Sequence, residues 1–282
     1  AIQVIAFLGS AIATARLSAA GDLAQWIAVF ACGVSVFVFF PLMHESGHQT
    51  AFESRAWNEI GVWLGALVML QAPSFFREFH WEHHRSTQDR EHDPEISAAP
   101  ALLDGWPTNP ISYLLLASGQ FLMLGKLGFT MSCALFPVTL WSRFFPFVRS
   151  ERRARVARES RLALLLITAF VVLGWRLVPG FSVVLVAWPI AHVLLGFYLM
   201  AEHTGLPNAG DQLERSRSVR SNAMLRWLMW NMPYHAEHHA YPGIPYHALP
   251  ALHQLLEPAL RHTSSGYLRF HLAAGAGAFR RR

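Results

Sequence analysis

The chain has 282 residues, of which 53% are hydrophobic and only 15% charged, with a formal net charge of +5. A soluble domain of this size would carry about a quarter charged residues. That deficit and a mean hydropathy of +0.27 exclude an ordinary soluble enzyme and point to a polytopic membrane protein.

In chain order, residues 1–20 and 23–43 are apolar runs separated by Gly21-Asp22. Each is long enough to cross a hydrocarbon core about 30 Å thick, and the tight turn between them predicts a helical hairpin. A cleavable leader is the rival reading of residues 1–20, but no basic region precedes the run. Pro41 stands near the end of the second run and should loosen its last turn just before His44 and His48. Asn58 to Phe76 is apolar but interrupted by Gly61, Gly65 and Pro73. It is expected to lie at the membrane interface and to place His80 beside His48. Asp89 to Glu95 is a charged loop. Residues 111–147 are apolar again, with Lys126 and Arg143 inside them. They fit either a shallow re-entrant pair or interfacial helices.

An arginine-rich stretch, ERRARVARESR, then precedes two further runs, 161–178 and 181–200, which turn at Pro179-Gly180. Basic residues beside a span mark the cytoplasmic side. Both hairpins therefore point the same way, with residues 44–160 and 201–282 cytoplasmic. The expected fold is all-α: a polytopic membrane helical bundle of two transmembrane hairpins (about four spans), interfacial helices and a cytoplasmic histidine-rich cap. One membrane-embedded domain covers residues 1–282, since no linker interrupts the chain.

Three stretches of this chain repeat one idea. HESGH offers His44 and His48, HWEHH offers His80, His83 and His84, and NMPYHAEHHAYP offers His235, His238 and His239. Residues three and four apart share a helix face, so each stretch presents imidazoles to a common region. In the last stretch Asn231 is expected to cap the helix, with Pro233 in its first turn. His203, in AEHTGL, makes nine. Nine imidazoles exceed what one ion takes and fit two metals with four or five nitrogens each. Two cysteines, Cys32 and Cys133, are too few for a disulfide framework or a cysteine-held cluster. Nitrogen ligands without thiolates point away from structural zinc and towards iron performing oxygen chemistry.

The H-x3-H, H-x2-HH and H-x2-HH stretches around two membrane hairpins resemble the integral-membrane fatty acid desaturase and hydroxylase superfamily. HHRSTQDREHDPE and NMPYHAEHHAYPGIP look like its bacterial fatty acid desaturase-like members, and AEHTGL is similar to the extra histidine segment of membrane alkane hydroxylases. The resemblance covers roughly residues 23–256. It implies a lipid-metabolising non-haem di-iron oxidoreductase in the bacterial inner membrane. Two iron ions would lie at its cytoplasmic face, with dioxygen as co-substrate. It implies as metal ligands His44, His48, His80, His83, His84, His203, His235, His238 and His239, with no catalytic residue beyond them. It also implies a separate electron donor, a ferredoxin, rubredoxin or cytochrome fed by a reductase. The first box has three residues between its histidines, where many acyl desaturases have four. Desaturation of a lipid acyl chain leads, on the Tyr234-to-Pro245 phrase. Hydroxylation or ketolation of an acyl, alkane or carotenoid substrate is the alternative.

Metal-bound imidazoles usually pass their second N–H to an acceptor. Glu45, Glu82, Asp89, Asp93, Glu202 and Glu237 are the candidates, Asp93 foremost. His192 lies inside a span, where ionisable residues are functional candidates. It shares a helical face with His203, roughly 16 Å away along the axis, and is expected to line a substrate channel into the bilayer. His92, His247, His253, His262 and His271 have no partner at ligand spacing and are read as ordinary interfacial residues. A basic surface of Arg215, Arg217, Arg220 and Arg226 is expected to dock the electron carrier. Two other classes compete. HESGH matches the H-E-x-x-H of zinc proteases, with Glu45 as base and Asp104 of Leu103-Asp104-Gly105 as a third ligand, but it leaves the other boxes unexplained. A metal carrier would want charges along its membrane path, and these runs hold few. No nucleic-acid motif accompanies the basic residues.

Overall fold

A computed structural model of the protein describes residues 2–17, 21–97, 99–103 and 105–280. The first run forms α1 (Ile2–Arg16), and the second forms α2 (Leu23–Phe37) continued by α3 (Phe39–His48). Asp22 starts α2 by accepting a hydrogen bond from the Gln25 amide, while Gln25 accepts one from the Gly21 amide at 2.8 Å. The break at Val38 sits four residues after Val34 and three before Pro41. Proline cannot donate to the Phe37 carbonyl and crowds it. Gln49 closes α3 in the left-handed region, at φ 67°.

The chain then folds through α4 (Arg55–Val68) and α5 (Pro73–Ser86), which meet at 94°. Leu70 at φ 64° makes the corner, and Pro73 opens the new helix. Two single turns follow, α6 (Pro94–Ser97) and α7 (Pro100–Leu103). After them come α8 (Pro110–Ala117) and α9 (Gln120–Leu135), bent by 57°. That second bend requires glycine. Gly119 has φ 63°, and a Cβ there would lie 1.6 Å from the His192 carbonyl oxygen.

A single turn α10 (Trp141–Phe144) precedes the 28-residue α11 (Ser150–Leu177), and α12 (Phe181–Val184) leads into α13 (Ala187–His203). The cap consists of α14 (Gln212–Arg215), α15 (Ala223–Leu228), α16 (His235–Ala240) and α17 (Leu249–Leu256), closed by α18 (Tyr267–Arg280). β1 (Ser218–Val219) and β2 (Thr263–Ser264) pair in parallel and tie the cap together.

This is the helical membrane bundle read from the sequence, with the span boundaries redrawn. Among the described residues, two continuous stretches are long and apolar enough to cross a bilayer, Leu23–His48 and Phe181–His203. The bent pairs Arg55–Ser86 and Pro110–Leu135 raise the number to as many as four by length and composition. The expected span at 1–20 appears as the 15-residue α1, with residues 1 and 18–20 outside the described part. The expected span at 161–178 is the second half of α11. The helix as a whole packs mainly along α9 and α5, where Arg161 donates to the Ala134 carbonyl at 3.0 Å, while its second half meets α12 and α13 through Phe170, whose ring centroid lies 5.3 Å from that of Phe181 and 5.8 Å from that of Trp188.

The core lies between α2, α3, α4 and α13. Cys32, Val36, Met43, Val62, Ala66 and Ala187 are fully excluded from solvent there. The apolar side chains that face outward, such as Ile5, Leu8, Trp26, Leu165, Leu173 and Trp175, would be an aggregation hazard in water and suit a lipid surface.

Candidate metal centre

Nine imidazoles from four elements meet at one end of this core. His44 and His48 come from the end of α3, and His80, His83 and His84 from α5. His203 ends α13, and His235, His238 and His239 come from α16. None of the nine is more than 9% exposed. They divide into two groups. Ligand atoms of His44, His48, His80, His84 and His238 all lie within 4.8 Å of one another, as do those of His83, His203 and His239. His235 joins the second group through His203, its Nε2 lying 2.8 Å from that of His203, and these two rings also form a set of the same size with Glu202. The groups adjoin where His84 stacks on His239, with ring centroids 4.1 Å apart.

The contacts inside each group are not ordinary hydrogen bonds. Nε2 of His80 lies 2.8 Å from that of His48 and 3.2 Å from that of His84, which is 3.2 Å from that of His238. In the second group, Nε2 of His83 and His203 are 3.2 Å apart. The proton positions follow from the outer partners. His83 Nδ1 donates to Asp93, at 3.0 and 3.1 Å from its two oxygens, and His203 Nδ1 donates to the Arg215 carbonyl at 2.9 Å. Thr87 gives its hydroxyl proton to the His83 carbonyl at 2.7 Å, so it accepts from His239 Nδ1 at 3.2 Å. In neutral rings all three then present an Nε2 lone pair to one point. Lone pairs facing one another across about 3 Å repel unless a cation sits among them. Nitrogens bound about 2.1 Å from one ion at right angles are also about 3 Å apart. Both nitrogens of His44, and Nδ1 of His48, His84 and His238, are buried without a hydrogen-bond partner. This buried histidine cluster therefore fits a metal site.

The electrostatics of α16 agree. Burial, and then the neighbouring imidazoles, push His235, His238 and His239 well below the ordinary histidine range. They stay neutral, as metal binding requires. Burial by itself would raise the Asp93 carboxyl. The His83 ring and the backbone amides of Gln88 and Glu95, at 2.8 and 2.9 Å, more than offset it and hold Asp93 below its usual value.

The other carboxylates sort differently. Glu202 Oε1 is 3.4 Å from His235 Nδ1, and Glu45 Oε1 is 3.6 Å from His44 Nδ1. Glu45 also accepts from the Thr50 hydroxyl at 2.8 Å and the Tyr246 amide at 3.2 Å, which fixes α3 against the cap. Glu237 is fully buried but meets none of the nine rings. It accepts from the Ser218 hydroxyl and from His253, and so anchors α16 from behind. Glu82 faces Arg85 and Ser86 at the surface, and Asp89 pairs with the exposed His92. Neither touches the cluster. Asp104 lies outside the described residues.

A cavity of about 270 Å³ opens beside the rings, bordered by His44, His80, His83, His203 and His235. Its body is apolar, formed by Phe75, Phe76, Phe79, Phe121, Phe129, Leu199 and Met200 among others. Along α13 the wall runs through His203, Met200, Leu199 and Gly196, and stops there. His192, expected to continue it, stands outside. The α8–α9 bend seats Gly119 on its carbonyl, and its Nδ1 donates to the Trp188 carbonyl at 2.9 Å. The expected cap at Asn231 also differs: Asn231 has φ 58° and bonds the Tyr246 carbonyl, and α16 starts at His235. Arg217 is no surface residue. It is buried between Trp106 and Phe270 and donates to the Ala201 and Thr204 carbonyls at 2.8 and 3.1 Å, which secures the end of α13. Arg215 and Arg226 donate to the Thr87 and Ser221 carbonyls, and Arg220 pairs with Glu257. Of the four, Arg220 is exposed, Arg215 and Arg226 are half-buried and only Arg217 is buried. Sequence reasoning missed Thr87 and the Arg215 carbonyl. Thr87 stands four residues after His83, a weak signal for a side chain returning to the helix.

The family model described as fatty acid desaturase matches residues 22–271. A Delta(8)-fatty-acid desaturase of Euglena gracilis is 24% identical over 77% of this chain and 57% of its own length. A sphingolipid delta(4)-desaturase of Komagataella phaffii is 24% identical over 80% of this chain and 60% of its own. A sphingolipid delta(4)-desaturase/C4-monooxygenase of Rattus norvegicus is 22% identical over 76% and 59%. The chain thus spans somewhat under two thirds of these curated relatives.

Proposed function

The chain belongs to the fatty acid desaturase family, and from that premise we propose that it is a non-haem di-iron enzyme that desaturates a lipid acyl chain. His44, His48, His80, His84 and His238 would hold one iron, and His83, His203, His235 and His239 the other. Iron held by such a set supplies the dioxygen-dependent oxidation of an unactivated C–H bond. The observation that carries this reading is the division of nine buried imidazoles into two groups that share the wall of one apolar cavity.

The chain's own residues have separable tasks. The phenylalanines of the cavity bind the hydrocarbon and exclude water from it. Asp93, Thr87 and the Arg215 carbonyl hold the Nδ1 protons of His83, His239 and His203, which keeps each Nε2 a ligand. In desaturation the acyl chain loses two hydrogens, and dioxygen, with two further electrons and protons, leaves as two waters. The electrons come from a separate ferredoxin, rubredoxin or cytochrome. The arginines at the start of α11 support a cytoplasmic metal site. Hydroxylation is the second reading. The short first box and the dual name of the rat relative favour it.

The zinc-protease reading of HESGH has no comparable support, since its two histidines share a group with His80, His84 and His238. Expression in a host of known lipid composition, with mass spectrometry of the lipids and metal analysis of the purified protein, is the test. Two irons per chain and a product two hydrogens lighter support desaturation. A product one oxygen heavier supports hydroxylation, and a single zinc would overturn both.

A further inference from the structure

One side chain of the cavity does not suit a hydrocarbon. Helix α9 faces the cavity with Phe121, Leu122, Gly125, Lys126 and Phe129, a single stripe at helical spacing. Lys126 is only 8% exposed, and its Nζ has the Met69 thioether, 4.0 Å away, as its polar contact. Among the described residues no carboxylate lies within 4.0 Å of it. Three acidic residues border the same cavity, and the one whose charge reaches Lys126 is Glu95, from beyond 4.0 Å. Asp93 is spent on His83 and two backbone amides. Glu202 Oε1 stands 3.4 Å from His235, and Glu95 Oε2 stands 3.7 Å from His83. An ammonium buried with no carboxylate in hydrogen-bonding reach is costly to keep, and at membrane depth such a group is a functional candidate whose partner has to be named.

We propose that Lys126 is the binding site for the substrate's carboxylate, so that the substrate class is a free carboxylic acid whose polar end enters the cavity. An acyl chain esterified to a phospholipid or a carrier protein has no such group to offer. The apolar members of the α9 stripe take the hydrocarbon, and the Lys126 ammonium replaces the water lost by the carboxylate with a charge-assisted hydrogen bond. Gly125 gives this end of the cavity its width: a Cβ there would meet only the Phe129 ring, at 4.0 Å. The proposal rests on the di-iron reading above and narrows its substrate from a lipid acyl chain to the free acid of such a chain.

Binding can be measured without turnover. Dodecanoate and methyl dodecanoate are titrated into the full chain in zwitterionic nanodiscs, with protein-free discs as the reference. The expected result is that dodecanoate binds at least about tenfold more tightly than the ester. Lys126→Met should bring that ratio close to one without weakening the ester, and Lys126→Arg should keep most of it. Equal binding of acid and ester by the unaltered protein overturns the proposal whether or not the variants fold, as does a preference that survives Lys126→Met. Iron content is measured on the same samples. Loss of the two-iron stoichiometry with the acid preference intact would sink the di-iron reading alone.

Discussion

Replacing Asp93 with Asn changes one atom's chemistry and almost nothing of its shape, which makes it a sharp probe of the second histidine group. Each Asp93 oxygen already serves a backbone donor: Oδ2 accepts from the Gln88 amide at 2.8 Å, and Oδ1 from the Glu95 amide at 2.9 Å. Both also face His83 Nδ1. Whichever way an asparagine amide turns, its NH2 must point at a backbone N–H. One buried donor is then left unsatisfied, at a cost of about 1–3 kcal/mol. His83 also loses its anionic acceptor, and losses of this kind lower metal affinity by about 10–100-fold. The five-histidine group takes nothing from Asp93. The expected outcome is therefore a fall from two metals per chain to one as chelator concentration is raised, at a point where the unaltered protein keeps both. Metal content by mass spectrometry after equilibration with graded chelator measures it, and a thermal melt reports the accompanying destabilisation. If the Asn variant holds both metals with unaltered affinity, Asp93 does not orient His83 and the proton assignment is wrong.

Acidification should release metal. His235, His238 and His239 are held below the ordinary histidine value, so the unfolded chain binds protons that the folded chain refuses. Stability and metal affinity should therefore rise with pH across the window from the folded values up to about 6.5, and fall on acidification through it; metal retention that is flat between about pH 7.5 and about pH 5.5 would contradict this. Gly196→Ala should lower the melting temperature, because its Cβ would lie 2.6 Å from the Gly119 nitrogen and 2.8 Å from the Ala117 carbonyl oxygen. Backbone on that side cannot yield cheaply, and overpacking costs about 1–3 kcal/mol; an unchanged melt would deny the flush contact of α13 with the α8–α9 bend. Glu82→Gln should leave metal content and turnover alone, since its partners are Arg85 and Ser86 and such surface pairs contribute about 0–1 kcal/mol; lost metal in this variant would place Glu82 in the site after all.

What the sequence disclosed followed local periodicity. The histidine boxes were legible because ligand spacing on a helix is set by the chain itself, and the bundle was legible because hydropathy is additive along a run. Contacts between distant elements were not. Glu82 and Glu237 stand beside box histidines in sequence, yet helix geometry turns neighbours about 100° apart, so both point away from the rings. His192 shares a face with His203, but the bend at Gly119 lies across that face first. Arg217 reads as surface charge in a basic segment, and the aromatic pair that buries it comes from 111 residues upstream and 53 downstream by sequence, at Trp106 and Phe270.

The division into two groups carries one further consequence of the same periodicity. Positions i and i+4 are offset by about 40° around a helix, and i and i+3 by about 60° in the opposite sense. The pairs four apart stay together: His44 with His48, His80 with His84, and His235 with His239. The third member of each H-x2-HH box goes to the other group, His83 from α5 and His238 from α16. Each of these helices thus reaches both groups at once, and His203 at the end of α13 brings the second to four. A rotation of α5 or α16 would disturb both sites together. That explains why α16, only six residues long, is pinned from behind by Glu237, Ser218 and His253 rather than left to its own hydrogen bonds.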